Sequence, residues 1–216
     1  MCMEHVTISK GNIKVGSIMS VSLPPRITCI HCGCWDTCYA VGMCMRFKSV
    51  KESYEKNLRI LMDNPEQYWR EVESVIMRER FFRYHVSGDI LNYEYFENMV
   101  DIARRNPHCE QLCFTKKYAI VNKYIEENGE LPSNLHIIFS AWRDLEMVNP
   151  HNLPECHIRY LDGTTTGSAG AIPCGGNCET CAITSKGCFG VSKGQQISIE
   201  EHGVLAVSAY KRSLKK

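Results

Sequence analysis

Thirteen cysteines in 216 residues constrain this chain more than any other feature, because they are grouped rather than spread. Five lie between Cys29 and Cys44 and four between Cys174 and Cys188, about 130 residues farther along. The start of the chain has no apolar segment typical of a secretory signal, so we expect a cytoplasmic, reducing environment. Clustered thiols in such an environment bind metals or carry redox chemistry more often than they form disulfides. The grouping therefore predicts two ligand loops.

The composition indicates an ordinary globular protein and excludes several classes of partner. Hydrophobic residues make up 44% and charged residues 23% of the chain, which excludes a disordered or fibrous protein. Lys and Arg number 25 against 24 Asp and Glu, so the net charge of +1 gives no electrostatic case for nucleic acid. No apolar run approaches the ~20 residues that span a bilayer, so we predict no membrane association.

Between the two groups the sequence alternates between strand and helix patterns. Such alternation predicts βαβ units and an α/β fold with mostly parallel strands. We expect strands at 17–23, 81–86, 110–115, 135–141 and 156–161, a last strand in the apolar run 203–209, and helices at 53–62, 65–80, 93–105 and 117–127.

We interpret residues 1–216 as one domain with four parts. They are an N-terminal extension at 1–13, an α/β core at 14–161, a cysteine-rich loop at 162–190, and a last strand with a basic tail at 191–216. Parallel sheets gather functional groups at the carboxyl ends of their strands. Both cysteine groups and the turn Ser87-Gly88-Asp89 follow predicted strands, so we expect all three on one rim.

The later group, which we call the second cysteine set, consists of Cys174, Cys178, Cys181 and Cys188. Four thiolates within 15 residues, separated by small and polar residues, suit a loop around one inorganic centre. The intervening glycines allow close approach of backbone N–H groups to such a centre. We favour an iron–sulfur cluster, because zinc ribbons usually pair two cysteine knuckles across a longer insert. Zinc remains the alternative.

The earlier group has five thiols, one more than a cubane or a zinc ion needs. Our preferred ligands are Cys29, Cys32, Cys34 and Cys38, which we call the first cysteine set. Cys44 falls in the apolar start of a helix at 41–47, where it would pack as a small hydrophobe. His31 stands between the thiols, and we expect it beside the metal rather than bound to it.

Several short motifs, taken in order, resemble the phage gene-product-88 domain family over about residues 14–190. They are Lys14, Leu23-Pro24, Cys29, Cys38-Tyr39-Ala40, Arg83-x-His85-x-x-Gly88-Asp89, Phe114-Thr115-Lys116 and the cysteine-rich carboxyl segment. Families of this type look like radical S-adenosylmethionine (SAM) proteins. The resemblance implies a partial (β/α) barrel, one or two [4Fe–4S] clusters, possible SAM binding, and a phage or prophage protein in the host cytoplasm.

The chain departs from the radical SAM pattern in the position of its cysteines. That pattern places Cys-x3-Cys-x2-Cys after the first barrel strand, whereas here Val41 occupies the position of the third cysteine. The same spacing occurs instead at the start of the second set, where Cys188 supplies a fourth thiol. The Ser87-Gly88-Asp89 turn matches the place of a SAM-binding Gly-Gly-Glu segment. The same turn is equally typical of a helix cap.

Charged and polar residues near the predicted strand ends form a candidate cofactor-binding group. Arg83 and His85 are expected on one face of their strand, and the other members end the same or the next strand: Gly88, Asp89, Thr115 and Lys116. Together they would bind a small anionic or zwitterionic ligand such as SAM. The alternative is a structural network in which these charges pair with one another.

Two functions of different classes follow from these features. The first is an iron–sulfur protein with redox or radical-SAM-like enzymatic activity on a small molecule. The second is a noncatalytic iron–sulfur regulator or electron carrier. A zinc-stabilised binding protein is a third, which the near-neutral charge and the cysteine spacing disfavour.

Overall fold

The computed structural model describes residues 4–29 and 32–215. The strands are β1 (Ile8–Ser9), β2 (Met19–Val21), β3 (Phe81–Tyr84), β4 (Glu110–Thr115), β5 (Leu135–Ser140), β6 (Glu155–Arg159), β7 (Ile172–Pro173) and β8 (Gln196–Glu200). The helices are α1 (Tyr39–Arg46), α2 (Lys48–Asp63), α3 (Pro65–Ile76), α4 (Tyr93–Arg105), α5 (Tyr118–Asn128), α6 (Cys178–Ile183) and α7 (Val204–Ser213), with a 3-10 turn at Gly187–Phe189. In this part of the chain no helix has the length and apolarity of a membrane span.

The strands form one open sheet in the order β1-β2-β3-β4-β5-β6-β8-β7. Every neighbouring pair is parallel except β1 and β2. The predicted α/β class with mostly parallel strands is therefore confirmed, and the sheet does not close into a barrel. The predicted N-terminal extension contributes β1, which pairs through Ile8 with Val21 and forms one edge of the sheet.

Helices α2 to α5 all cover the same face of the sheet. From β2 to β6 the strand order follows the chain, and crossovers of one hand place the connecting helices on one side. Alternate strand residues, including Val21, Phe82, Tyr84, Ile137 and Phe139, pack there in one apolar core with the helices. Asn64 caps α3 by accepting a hydrogen bond from the Gln67 backbone N–H, as the Asn-Pro start of that segment predicts.

The cysteine-rich segment covers the opposite face of the sheet. Leu112, Ile138 and Ile197 point to this side and pack against Ala182 of α6 and Phe189 of the 3-10 turn. The expectation that both cysteine groups lie on one rim is therefore wrong for the second set. The second set lies on this face because helices α2 to α5 all cover the other one. The apolar strand residues that the helices leave exposed must be buried by another segment, and the cysteine-rich segment buries them.

The largest error in the predicted elements concerns the carboxyl end. Residues 203–209 were expected as the last strand, but they lie in α7, which begins after Gly203. A short apolar run does not distinguish a strand from a helix by its pattern alone. The last strand among the described residues is β8, in which the adjacent residues Ile197 and Ser198 are both buried. Most other boundaries differ from expectation by a few residues, and α2 extends five residues farther toward the amino end than predicted.

Candidate functional site

The first cysteine set lies in the loop between β2 and α1, and its four thiols are packed together. Each of the four residues, Cys29, Cys32, Cys34 and Cys38, is only 7–8% exposed. The Cys34 thiol donates a hydrogen bond to Cys32 Sγ at 3.4 Å. Cys29 and Cys38 pack with this pair in one buried cluster. The loop has thus gathered the four thiols that the spacing predicts as ligands.

Backbone N–H groups stabilise negative charge on this set. The N–H of Arg26 donates to Cys29 Sγ at 3.2 Å. Cys38 is the N-cap residue of α1, so its sulfur lies at the positive end of the helix. Interaction with the Cys34 thiol, helped by the first backbone N–H groups of α1, lowers the pKa of Cys38 to about 6. Hydrogen bonds within the set also lower the pKa of Cys32, whereas hydrogen bonding to Cys32 and burial raise the pKa values of Cys29 and Cys34. Two of the four thiols therefore favour the thiolate form, which binds metals.

Lys116 supplies a cation beside the first set. It follows the carboxyl end of β4, and its ammonium lies 5.4 Å from the centre of the Trp142 ring. Burial alone would lower the pKa of Lys116, but the negative charges of Cys34, Asp89 and other thiols of the set raise it. Lys116 is therefore held protonated next to groups that a metal site would keep as thiolates.

Asp89 connects the turn after β3 to the end of β4. Its carboxylate accepts hydrogen bonds from Thr115 Oγ1 at 2.6 Å, from the Lys116 backbone N–H at 2.9 Å and from the Ile90 backbone N–H at 2.8 Å. Both oxygens are used, and the residue is 2% exposed. Gly88 has φ +83°, and a Cβ there would lie 2.7 Å from the Leu23 carbonyl oxygen. This predicted cofactor-binding turn is thus filled by protein contacts.

Arg83 supplies a second cation, and it lies against the second set. Its Nη1 donates to Cys178 Sγ at 3.1 Å, and its guanidinium lies 5.1 Å above the Phe114 ring. Burial alone would lower the pKa of Arg83, but the charges of Cys178, Tyr39 and Cys188 raise it. Its Nε is buried without a hydrogen-bond partner among the described residues. An orphaned cationic donor beside thiols indicates a place for an anionic group.

The second set is wrapped by glycine-rich backbone and is more accessible than the first. Cys188 is buried, Cys178 and Cys181 are half-buried, and Cys174 is exposed. The Gly176 N–H donates to Cys174 Sγ at 3.4 Å. Gly187 has φ +54°, and a Cβ there would lie 3.0 Å from Cys181 Sγ. These glycines therefore let the backbone approach the sulfurs closely.

Neither set is a formed metal site in this structure. Among residues 4–29 and 32–215, no group of three or more His, Cys, Asp or Glu side chains has the arrangement of one. His31, which we expected beside the first set, lies outside the described residues. The structure thus brings the predicted ligands into two groups, each with its own cation.

The first set and the hydrogen bonds of Asp89 with Thr115 and Lys116 lie in the part of the chain that matches a known family. Residues 4–155 match the family described as Gene product 88. The chain belongs to the Gene product 88 family. No curated protein and no solved structure matches it significantly. The family match ends before the second set, so those four cysteines belong to a carboxyl segment beyond it, although we expected the resemblance to reach residue 190.

Two residues of the site in this Gene product 88 protein were not predicted from the sequence. Cys156, on β6, packs in the same apolar cluster as Cys188 and Cys178. Tyr39 follows Cys38 directly, and its hydroxyl donates to the Val86 carbonyl. Partial desolvation raises the pKa of the Tyr39 hydroxyl, although the residue is 37% exposed. The only sequence signals were a cysteine at the start of a predicted strand and the tyrosine of the Cys38-Tyr39-Ala40 motif.

His85 does not share a face with Arg83, contrary to expectation. It follows the last residue of β3 with φ +56°, and this left-handed conformation turns its side chain to the helix-covered face. There its Nε2 lies 3.0 Å from the Tyr95 hydroxyl, and its Nδ1 lies 3.6 Å from Cys113 Sγ. Burial lowers the pKa of His85 to about 3, so the ring is neutral at physiological pH.

The burial of His85 predicts a loss of stability in mild acid. Its pKa falls from an ordinary 6.5 to about 3 on folding, so below pH 6.5 the unfolded chain binds a proton that the folded chain does not. From pH 7 to pH 5 we expect the free energy of unfolding to fall by about 2 kcal/mol more than in His85→Asn. Asn tolerates the left-handed backbone. Urea denaturation at both pH values measures this, and equal losses in both proteins would contradict it.

Proposed function

We propose that this protein is an iron–sulfur protein whose second cysteine set holds a [4Fe–4S] cluster. The observation that carries the proposal is the hydrogen bond from Arg83 Nη1 to Cys178 Sγ, together with the unpartnered Nε of the same guanidinium. A buried cation with an unused donor is costly unless an anion accompanies it. A cluster with four thiolate ligands and inorganic sulfides is such an anion, and its sulfides accept hydrogen bonds.

The second set supplies four cysteine thiols, which are the type and the number of ligands that a [4Fe–4S] cluster requires. Cys174, Cys178, Cys181 and Cys188 would be the ligands, and Arg83 and the Gly176 N–H would stabilise their negative charge. When bound, the cluster supplies one-electron transfer. The exposure of Cys174 leaves one side of the set open, which gives a redox partner a short path to it. These features support an electron carrier or a redox enzyme.

The radical-SAM-like alternative draws support from the fold rather than from the predicted SAM turn. From β2 to β6 the parallel strands follow chain order with their crossover helices on one face, as in a partial (β/α) barrel. The Asp89 carboxylate, however, is already hydrogen-bonded at both oxygens within the protein. A SAM amino group at this turn would have to compete with those protein donors. A phage protein of this kind would act in the host cytoplasm, where thiols stay reduced.

Chemical analysis of anaerobically purified protein tests the proposal. We expect about four irons and four acid-labile sulfides per chain, the content of one cubane. Cys178→Ala should lower both at least about fivefold, since it removes one ligand and the partner of Arg83. Cys44→Ala, which removes a thiol outside both sets, should leave them unchanged. Folded wild-type protein that contains zinc but no sulfide would contradict the proposal.

A further inference from the structure

The first set contains a sulfur–sulfur hydrogen bond, whereas none joins the described cysteines of the second set. The sulfurs of Cys32 and Cys34 are 3.4 Å apart, and Cys29 and Cys38 pack in the same buried cluster. Ligands of a cubane each bind a different iron, so the whole iron–sulfur core separates them. Sulfurs that share one tetrahedral zinc, at 2.3 Å each, are only about 3.8 Å apart. The Cys32–Cys34 distance lies a few tenths of an ångström from the second arrangement and far from the first.

The surroundings of the first set leave little room for expansion. Trp142 packs so closely on the loop that a Cβ at Gly33 would lie 2.9 Å from Trp142 Cβ. Ala40, Val41 and Leu205 pack in the same cluster as the four cysteines. A set enclosed in this way can adjust by tenths of an ångström, but a cubane would require the loop to separate from its packing partners.

From this geometry we propose that the first cysteine set binds a single tetrahedral zinc ion, so that the two sets hold different centres. The assignment rests on the proposal that the cysteine sets are metal sites. It differs from the expectation of an iron–sulfur cluster in the first set, because the Cys32–Cys34 distance is closer to that of ligands on a single metal ion. The zinc would tie the loop after β2 to α1 and would leave electron transfer to the second set.

Metal analysis of single-cysteine variants tests this division. The full-length protein is produced anaerobically with both iron and zinc in the medium, and zinc, iron and sulfide are measured per chain. We expect about one zinc in wild type, a loss of at least about fivefold in Cys34→Ala, and no change in its iron or sulfide. Cys178→Ala should show the reverse pattern, and Cys44→Ala, as the matched control, should keep both metals.

Cobalt substitution of Cys178→Ala, in which the second set has only three thiols, provides a second measurement if Cys34→Ala does not fold. One Co²⁺ per chain with the intense visible bands of a tetrahedral thiolate site would support the assignment. About eight irons without zinc, iron loss from Cys34→Ala with zinc retained, or no zinc and no tetrahedral cobalt would overturn it. One zinc without any iron, lost from Cys34→Ala but kept in Cys178→Ala, would support this assignment and contradict the proposed iron–sulfur function, whereas the same zinc lost only from Cys178→Ala would overturn the assignment.

Discussion

Asp89→Ala is expected to lower the free energy of unfolding by about 3–5 kcal/mol. The substitution removes the acceptor of three hydrogen bonds and leaves the Thr115 hydroxyl and the Lys116 and Ile90 N–H groups unpaired. It also removes a negative charge beside the Lys116 ammonium. Each loss occurs in a buried place, where water cannot substitute for the missing acceptor. Denaturant unfolding of anaerobic protein with matched metal content measures the change.

The control for this prediction is Asp101→Ala, because Asp101 forms an exposed contact with Arg104 on α4. Solvent-exposed ion pairs contribute little to the free energy of unfolding, so this variant should unfold at almost the same denaturant concentration as wild type. Asp89→Asn should lie between the two, since it keeps the shape but places an amide donor against a backbone N–H. If Asp89→Ala changed stability no more than Asp101→Ala, the network would not be structural.

Arg83→Met is expected to weaken iron retention by about 10- to 100-fold, the usual effect of removing a partner of a metal ligand. Met is long enough to pack against the Phe114 ring as Arg83 does. It lacks the N–H group that donates to Cys178 and the positive charge that faces the second set. Iron and sulfide that remain after competition with a chelator measure the effect. The zinc content should not change, because Lys116 rather than Arg83 accompanies the first set.

Two further variants test whether iron loss in Arg83→Met comes from the missing charge and donor geometry of Arg83 or from general destabilisation of the fold. Arg83→Lys keeps the charge but loses the fork of donors, so it should retain more iron than Arg83→Met. Arg80→Met removes a nearby arginine that lies over the Phe81 ring, and it should retain iron fully. Equal iron retention in Arg83→Met and wild type would show that Arg83 does not support the centre.

Local patterns predicted the central elements of the fold but not its edges. The spans of α4 and β4 agree with expectation because an apolar stripe and a buried run fix them. Strands β1 and β7 have two residues each and exist through pairing with distant strands, so no local pattern announces them. The docking of Phe189 and Ala182 on the sheet depends on which face the helices leave open. That is a property of the assembled sheet.

The candidate site was predictable where it follows from adjacent parallel strands. The meeting of Asp89 with Thr115 and Lys116 follows from the neighbouring positions of β3 and β4. The orientation of His85 was not predictable, because a single left-handed residue reverses the alternation of the strand. Cys156 was also missed, since an isolated cysteine in a buried strand looks like any small apolar residue.

Electron paramagnetic resonance of the dithionite-reduced protein tests the central claim most directly. Anaerobically purified wild type with both cysteine sets intact should give the signal of a reduced [4Fe–4S] cluster, with about one spin per chain. The visible absorbance should bleach in parallel, and both changes should be absent in Cys178→Ala. A folded wild-type protein with intact thiols that shows neither signal nor bleaching after anaerobic reconstitution with iron and sulfide would contradict the iron–sulfur assignment.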